Sequence, residues 1–130
     1  MNQRQWKPAI AALEQSCALK RELGDPRGIA QSLHNLGKLH FLREDYASAE
    51  SMFLESLRIR LGRGRDEHGA AQSWVALAHV ALKAGKLHDA ERYATNALEA
   101  HVACGDQRGI TQASGLLRAL SSVRASWSDL

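Results

Sequence analysis

The stretch from Ala30 to Arg60, AQSLHNLGKLHFLREDYASAESMFLESLRIR, decides the fold because it returns: from Ala71 the chain reads AQSWVALAHVALKAGKLHDAERYATNALEAH, a shift of 41 residues. Four further series keep this register. Trp6, Tyr46, Leu87 and Trp127 recur at intervals of 40, 41 and 40, and Ala9, Ala49 and Ala90 at 40 and 41. Asp25, Asp66 and Asp106 follow at 41 and 40, as do Gly28, Gly69 and Gly109. A fixed period of this length is the mark of stacked helical repeats, each burying its apolar face against its neighbours, rather than of one closed core.

Within each copy the apolar residues have helical spacing. Trp6, Ala9, Ile10, Leu13 and Cys17 outline a helix over 6–23, with Pro8 suited to its first turn. The GDPRG that follows stops this helix at Gly24, supplies Asp25 as an N-cap and puts Pro26 where its missing N–H is harmless. A helix from Pro26 to about Leu42 then carries Ile29, Leu33, Leu36, Gly37 and His40 on one face, and after a turn at Arg43, Glu44 and Asp45 a partner opens at Tyr46. The pair recurs as helices from about Asp66 to Lys83 and from about Leu87 to Ala103, with a turn at Ala84 and Gly85. GDQRG at Gly105 restates the first junction, and the middle junction, GRGRDEHG, holds one extra residue.

The chain is therefore read as a single domain, 1–130: an unpaired second helix over 6–23, full repeats over 26–62 and 66–104, and an unpaired first helix over 107–124. The closing SWSDL is expected to be a turn and the start of a partner helix, with Trp127 in the place of Tyr46. Ends that miss the repeat boundaries suggest a fragment of a longer array or a chain whose ends pack against another copy.

Apolar residues make up 45% of the sequence and charged ones 24%, which suits an ordered globular chain. The formal charge of +3 favours solubility and does not by itself make a nucleic-acid binder. Cys17 and Cys104 lie at unrelated points of the repeat, without CxxC or ligand spacing to histidine, and are expected to be reduced and mostly buried. With no long apolar run and no charged-then-apolar start, a soluble, cytoplasmic location is expected.

These landmarks resemble the tetratricopeptide repeat, W-x-x-L-G-x-x-Y followed by A-x-x-x-F. The first copy is similar through Leu33, Leu36, Gly37 and His40, then Ala49 and Phe53. The second is similar through Trp74, Leu77, Ala78 and Ala81, then Gly85, Ala90, Ala94 and Ala97. Small residues at Gly37, Ala49, Ala78 and Ala90 let paired helices approach closely, and large ones fill the space between repeats. The usual 34-residue repeat is stretched here and lacks its closing proline. This longer variety resembles arrays in bacterial signalling and regulatory proteins. The resemblance implies an all-α, right-handed solenoid (superhelix) of about six helices in antiparallel pairs.

It also implies a concave groove lined by the first helices, which holds a segment of a protein partner. That groove would present Gln31, His34, Asn35, Lys38 and Phe41 from the first copy, Gln72, Val75, Ala76, His79 and Lys83 from the second, and Gln112, Gly115, Leu116 and Ala119 from the last helix. Gln31, Gln72 and Gln112 recur in register and, with Asn35, offer donors and acceptors to a peptide backbone. The alternative is that they are solvated positions inherited by repetition. Lys38 would suit a clamp on a C-terminal carboxylate, but Ala76, Gln112 and Leu116 stand where its other members belong.

Other chemistries find little support. The six histidines, His34, His40, His68, His79, His88 and His101, show no metal-ligand spacing, so no metal or other cofactor is expected. The acidic residues fall at caps, turns and exposed helix faces, so no catalytic residues are expected and the chain is read as a non-enzyme. Arg58, Arg60, Arg63 and Arg65 form a basic run that could meet phosphates, but Asp66 and Glu67 follow at once and no aromatic residues interleave for base stacking. The reading is a protein-protein interaction module, with self-association or interdomain spacing through exposed apolar ends at Trp6 and Trp127 as the alternative.

Overall fold

The computed structural model describes residues 3–63 and 65–128, and among these residues all regular structure is helical. The helices are α1 (Gln3–Leu23), α2 (Pro26–Leu42), α3 (Tyr46–Leu61), α4 (Glu67–Lys83), α5 (Leu87–Cys104) and α6 (Gln107–Ser128). They divide between two compact units, Met1–Asp66 and Glu67–Leu130. In the first, α2 packs along α3 and α1 packs on α2; in the second, α4 packs along α5 and α6 on α5. Each unit is thus a stack of paired helices, and the described chain is an all-α helical-repeat fold.

The helix boundaries follow from a few residues. Asp25 caps α2 by accepting from the Gly28 N–H at 3.0 Å, and Pro26 occupies the first turn. Asp106 accepts from the Gly109 N–H at 3.2 Å in the same way, and Asp45 from the Ser48 N–H at 3.2 Å. The turn inside each pair needs one left-handed residue: Glu44 has φ 64° in the first copy and Gly85 φ 80° at the matching place in the second. Without a Cβ, glycine adopts this conformation freely, whereas glutamate does not. At the next recurrence, Ala125, the sequence around it carries neither glycine nor proline. There α6 runs on to Ser128, through the turn expected at SWSDL.

The core of the first unit gathers Cys17, Leu33 and Leu36, with Ile10, Leu13, Ile29, Met52 and Ile59 packed against them. Gly37 makes this core possible, because a Cβ there would lie 2.7–2.9 Å from three carbons of the buried Phe53 ring. In the second unit the matching residues are Ala78 and Ala94, both fully buried, and bulk is supplied instead by Leu77 and Leu120, also fully buried. Burying a leucine contributes roughly 1.5–3 kcal/mol. Trp74, half-buried, tilts against Tyr93 with ring centroids 6.0 Å apart. Ala49, Ala90 and Ala97 are fully buried as well.

Three expectations from the sequence need correction. Trp6 is buried rather than exposed, so it is not a free apolar end, and the side chain of Trp127 lies outside the described residues. Cys104 is exposed; only Cys17 is buried. Val75, expected in the groove, turns inward against Ala97 and Ala113.

Candidate binding face of the first helix pair

On α2, residues Gln31, His34, Asn35, Lys38 and Phe41 recur at helical spacing and share one side of the helix. What lies beneath that side was hidden in the basic run. Arg60, in the last turn of α3, is not in solvent: only 3% of it is exposed. Its guanidinium Nη2 donates to Gln31 Oε1 at 3.2 Å, and Gln31 Nε2 donates to Asn35 Oδ1 at 3.1 Å.

Donor and acceptor types fix the direction of this chain of bonds. A guanidinium only donates, so the Gln31 oxygen must face Arg60 and its NH2 must face Asn35. Asn35 then accepts with its oxygen. Its own NH2 remains available to donate to a peptide carbonyl. Hydrogen bonds in series polarise one another and restrict rotamers, so this amide is held ready rather than ordered on binding.

His34 sets the neighbouring polarity. Its ring stands edge-on to Phe53, with centroids 5.1 Å apart and an interplanar angle of 61°. Burial, together with the charges of Arg60 and Lys38, pulls its pKa down to about 4. It is thus neutral at pH 7, and the cationic group of this face is the exposed Lys38. Phe41, half-buried, tilts against Tyr46 with centroids 5.7 Å apart.

The second unit does not repeat the arrangement. Gln72 is exposed on α4, its Nε2 3.4 Å from His68 Nε2, and His79 and Lys83 are exposed on the same helix. Desolvation and the nearby Lys83 lower the pKa of His79. Gln112 is exposed on α6. The residue in register with Arg60 is His101, buried at 2% exposure, whose Nδ1 lies 3.3 Å from Asp106 Oδ2. His68 approaches the same carboxylate, 3.7 Å from Oδ2, and the capping N–H of Gly109 with these two histidines holds the Asp106 pKa below the usual carboxylate range. Glutamine recurs in the sequence, then, but its organising partner does not.

A basic residue near the end of each second helix, buried at Arg60 and His101, is itself a repeat feature that reading the sequence missed. Lys20, Arg60 and His101 recur at 40 and 41 residues, each near the end of a second helix. Each accepts, through its backbone carbonyl, the N–H of the aspartate at the next junction: Asp25 at 3.0 Å, Asp66 at 2.9 Å and Asp106 at 3.0 Å. The side chains of Lys20 and His101 lie over Gly28 and Gly109, where an added Cβ would fall 2.8 Å from Lys20 Cδ and 2.0 Å from His101 Nδ1. Lys20 Nζ goes on to donate to Ser32 Oγ at 3.0 Å. The signal was present in the register, but three different residue types concealed it. Among the described residues no group of histidine, cysteine, aspartate and glutamate is arranged to hold a metal ion, and no helix is long and apolar enough to cross a membrane.

Residues 1–62 match the family model of the tetratricopeptide repeat, which supports a tetratricopeptide family. Among solved structures, the crystal structure of BtubC (BKLC) from P. vanneervenii is similar, with a TM-score of 0.74 at 20% sequence identity. The likeness covers 92% of this chain and 50% of that one, so the chain spans half the length of that protein, and at this identity it shows the fold alone. No curated protein matches the sequence.

Proposed function

We propose that this chain is a non-catalytic protein-interaction module, of tetratricopeptide type throughout, in which the outer side of α2 holds an extended segment of a partner protein. The observation that carries this reading is the chain of bonds from Arg60 through Gln31 to Asn35, which presents a fixed amide donor beside the cationic Lys38. Gln72, His79 and Lys83 on α4 and Gln112 on α6 are further polar groups available to a partner on the other unit. The 40/41-residue spacing and the GD-x-RG junctions support the long repeat variety of bacterial signalling and regulatory proteins, and with it a cytoplasmic setting.

The test is a pull-down read by mass spectrometry, comparing the chain with a folded Asn35→Ala, Lys38→Glu variant and with Gln72→Ala. A protein captured by the original and lost with the α2 variant supports the reading. Equal capture by all three, or none, sinks it and favours a spacer role.

One observation supports that second reading. Leu19 and Leu23, four residues apart on α1, are 56% and 72% exposed, an apolar strip suited to self-association. Mass measured by sedimentation against concentration tests it: a rise abolished by Leu19→Glu, Leu23→Glu is expected, and a monomer at all concentrations rejects it.

A further inference from the structure

A second surface of the first unit lies where the α1–α2 junction meets the end of α3. An open cleft of about 520 Å³ is found there, within the roughly 300–1,000 Å³ of typical binding sites. Its apolar lining is Pro26, Ile29 and Ile59. Ile29 and Ile59 are half-buried and pack on the Cys17, Leu33 and Leu36 cluster, so the floor of the cleft is the outer layer of the core. Around it stand Arg21, Arg58 and Arg63, with Glu55 as the acidic lining residue.

The charges are unevenly used. Glu55 Oε1 accepts from Arg21 Nη2 at 3.1 Å, which leaves that pair neutral. Arg58 and Arg63 are exposed and make no ion pair among the described residues. The cleft thus carries two uncompensated guanidinium groups over an aliphatic floor.

Repetition does not require this arrangement. One repeat on from Arg21, Glu55, Arg58, Ile59 and Arg63 the chain has Leu61, Asn96, Glu99, Ala100 and Cys104. In sequence the next repeat lacks the basic rim and reverses one of its charges. The fold therefore gives no reason for Arg58 and Arg63.

We propose that this cleft binds an acidic peptide segment of a partner protein, one aliphatic side chain on the Ile29 and Ile59 floor and its flanking carboxylates on Arg58 and Arg63. A guanidinium meets a carboxylate through paired N–H donors, and the aliphatic contact supplies the apolar burial that exposed ion pairs alone do not. Nucleic acid fits less well. The cleft offers no aromatic ring to stack a base. The site is separate from the α2 face proposed above and does not depend on it.

The experiment is fluorescence anisotropy at low ionic strength, using labelled hexapeptides in which one Leu or Ile sits between runs of Asp and Glu. Saturable binding is expected. It should weaken roughly tenfold in Arg58→Glu, Arg63→Glu, whose rim repels carboxylates, and less in Arg58→Gln, Arg63→Gln, a milder change that guards against loss of folding. Exchanging the aliphatic residue of the peptide for Ser should also weaken binding several-fold, through lost apolar contact. Asn35→Ala, Lys38→Glu should bind the peptides as the original does, which separates this site from the α2 face. Three results would overturn the proposal: no peptide of the set binds; folded arginine variants bind unchanged; or a single-stranded oligonucleotide of equal charge binds as tightly.

Discussion

The two helix pairs solve one packing problem in opposite ways. In the first, Gly37 on α2 makes room for Phe53 on α3; in the second, the same two positions are Ala78 and Ala94. The space between two helices is shared, so a repeat can drift in residue type provided that both positions change together. Phe53 is 2% exposed, its ring shared between this contact and the edge of His34.

The largest effect should come from breaking this exchange. Phe53→Ala alone removes a buried ring and should cost about 3–5 kcal/mol in urea denaturation. Gly37→Ala alone drives a methyl group into that ring and should cost about 1–3 kcal/mol. Made together they copy the second pair, and the double variant should be more stable than the sum of the two losses by at least about 1 kcal/mol. Strict additivity would show that the two residues do not share the space.

The junctions offer the next comparison. At Gly109 an added Cβ meets the buried ring of His101, whereas at Gly28 it meets the Asp25 carboxylate and the flexible stem of Lys20. Gly109→Ala is therefore expected to destabilise by about 2–3 kcal/mol and Gly28→Ala by about 1 kcal/mol, the cost of a disturbed cap. Equal thermal shifts for the two would contradict the difference drawn between a rigid and a yielding neighbour.

A pH effect separates the pairs as well, because the position of His34 is Val75 in the second copy. With a folded pKa of about 4 against an ordinary 6.5, His34 takes up its proton in the unfolded chain first. Stability that is fully present above pH 6.5 is thus lost as pH falls towards 4. Allowing for its partial exposure, the loss between about pH 7 and about pH 5 should be about 1–2 kcal/mol. His34→Val should flatten that slope in paired melts. An unchanged slope would mean that the ring takes up its proton as readily in the folded chain.

The smallest effects lie in the turns, where each copy has one suitable residue that the other lacks. Glu44→Gly borrows the left-handed glycine of the second copy. Lys86→Asp borrows the cap of the first, because Lys86 caps α5 without a side-chain hydrogen bond while Asp45 provides one for α3. Each exchange should raise stability by several tenths to about 1 kcal/mol, measurable as a higher Tm. A fall in Tm would show that Glu44 or Lys86 makes contacts worth more than its backbone conformation or missing cap.

Local rules explain how much of this was legible. The spacing of Leu33, Leu36, Ala49 and Phe53 and the Gly-Asp junctions specify helices, their pairing and most of their ends, because period and capping are written in neighbouring residues. The end of α6 was misread because register alone was followed. The candidate binding face was legible as a list of positions on α2, but not as a mechanism. Whether an arginine on a helix points to solvent or under its neighbour is decided by packing across the pair, so Arg60 read as one more charge in a solvated run.

The basic residue before each junction has a consequence for assembling such chains. In the outer junctions an aspartate follows the base after five residues and a glycine after eight; in the middle one the distances are six and nine. Yet Asp66 N–H still reaches the Arg60 carbonyl at 2.9 Å. The junction thus behaves as a splice site with tolerance for one inserted residue. A length of chain from one junction aspartate to the next is the natural cassette for recombination, and a basic residue, a spacer of four or five residues that includes a glycine, then Asp-x-x-Gly is a workable starting pattern for finding where one cassette ends.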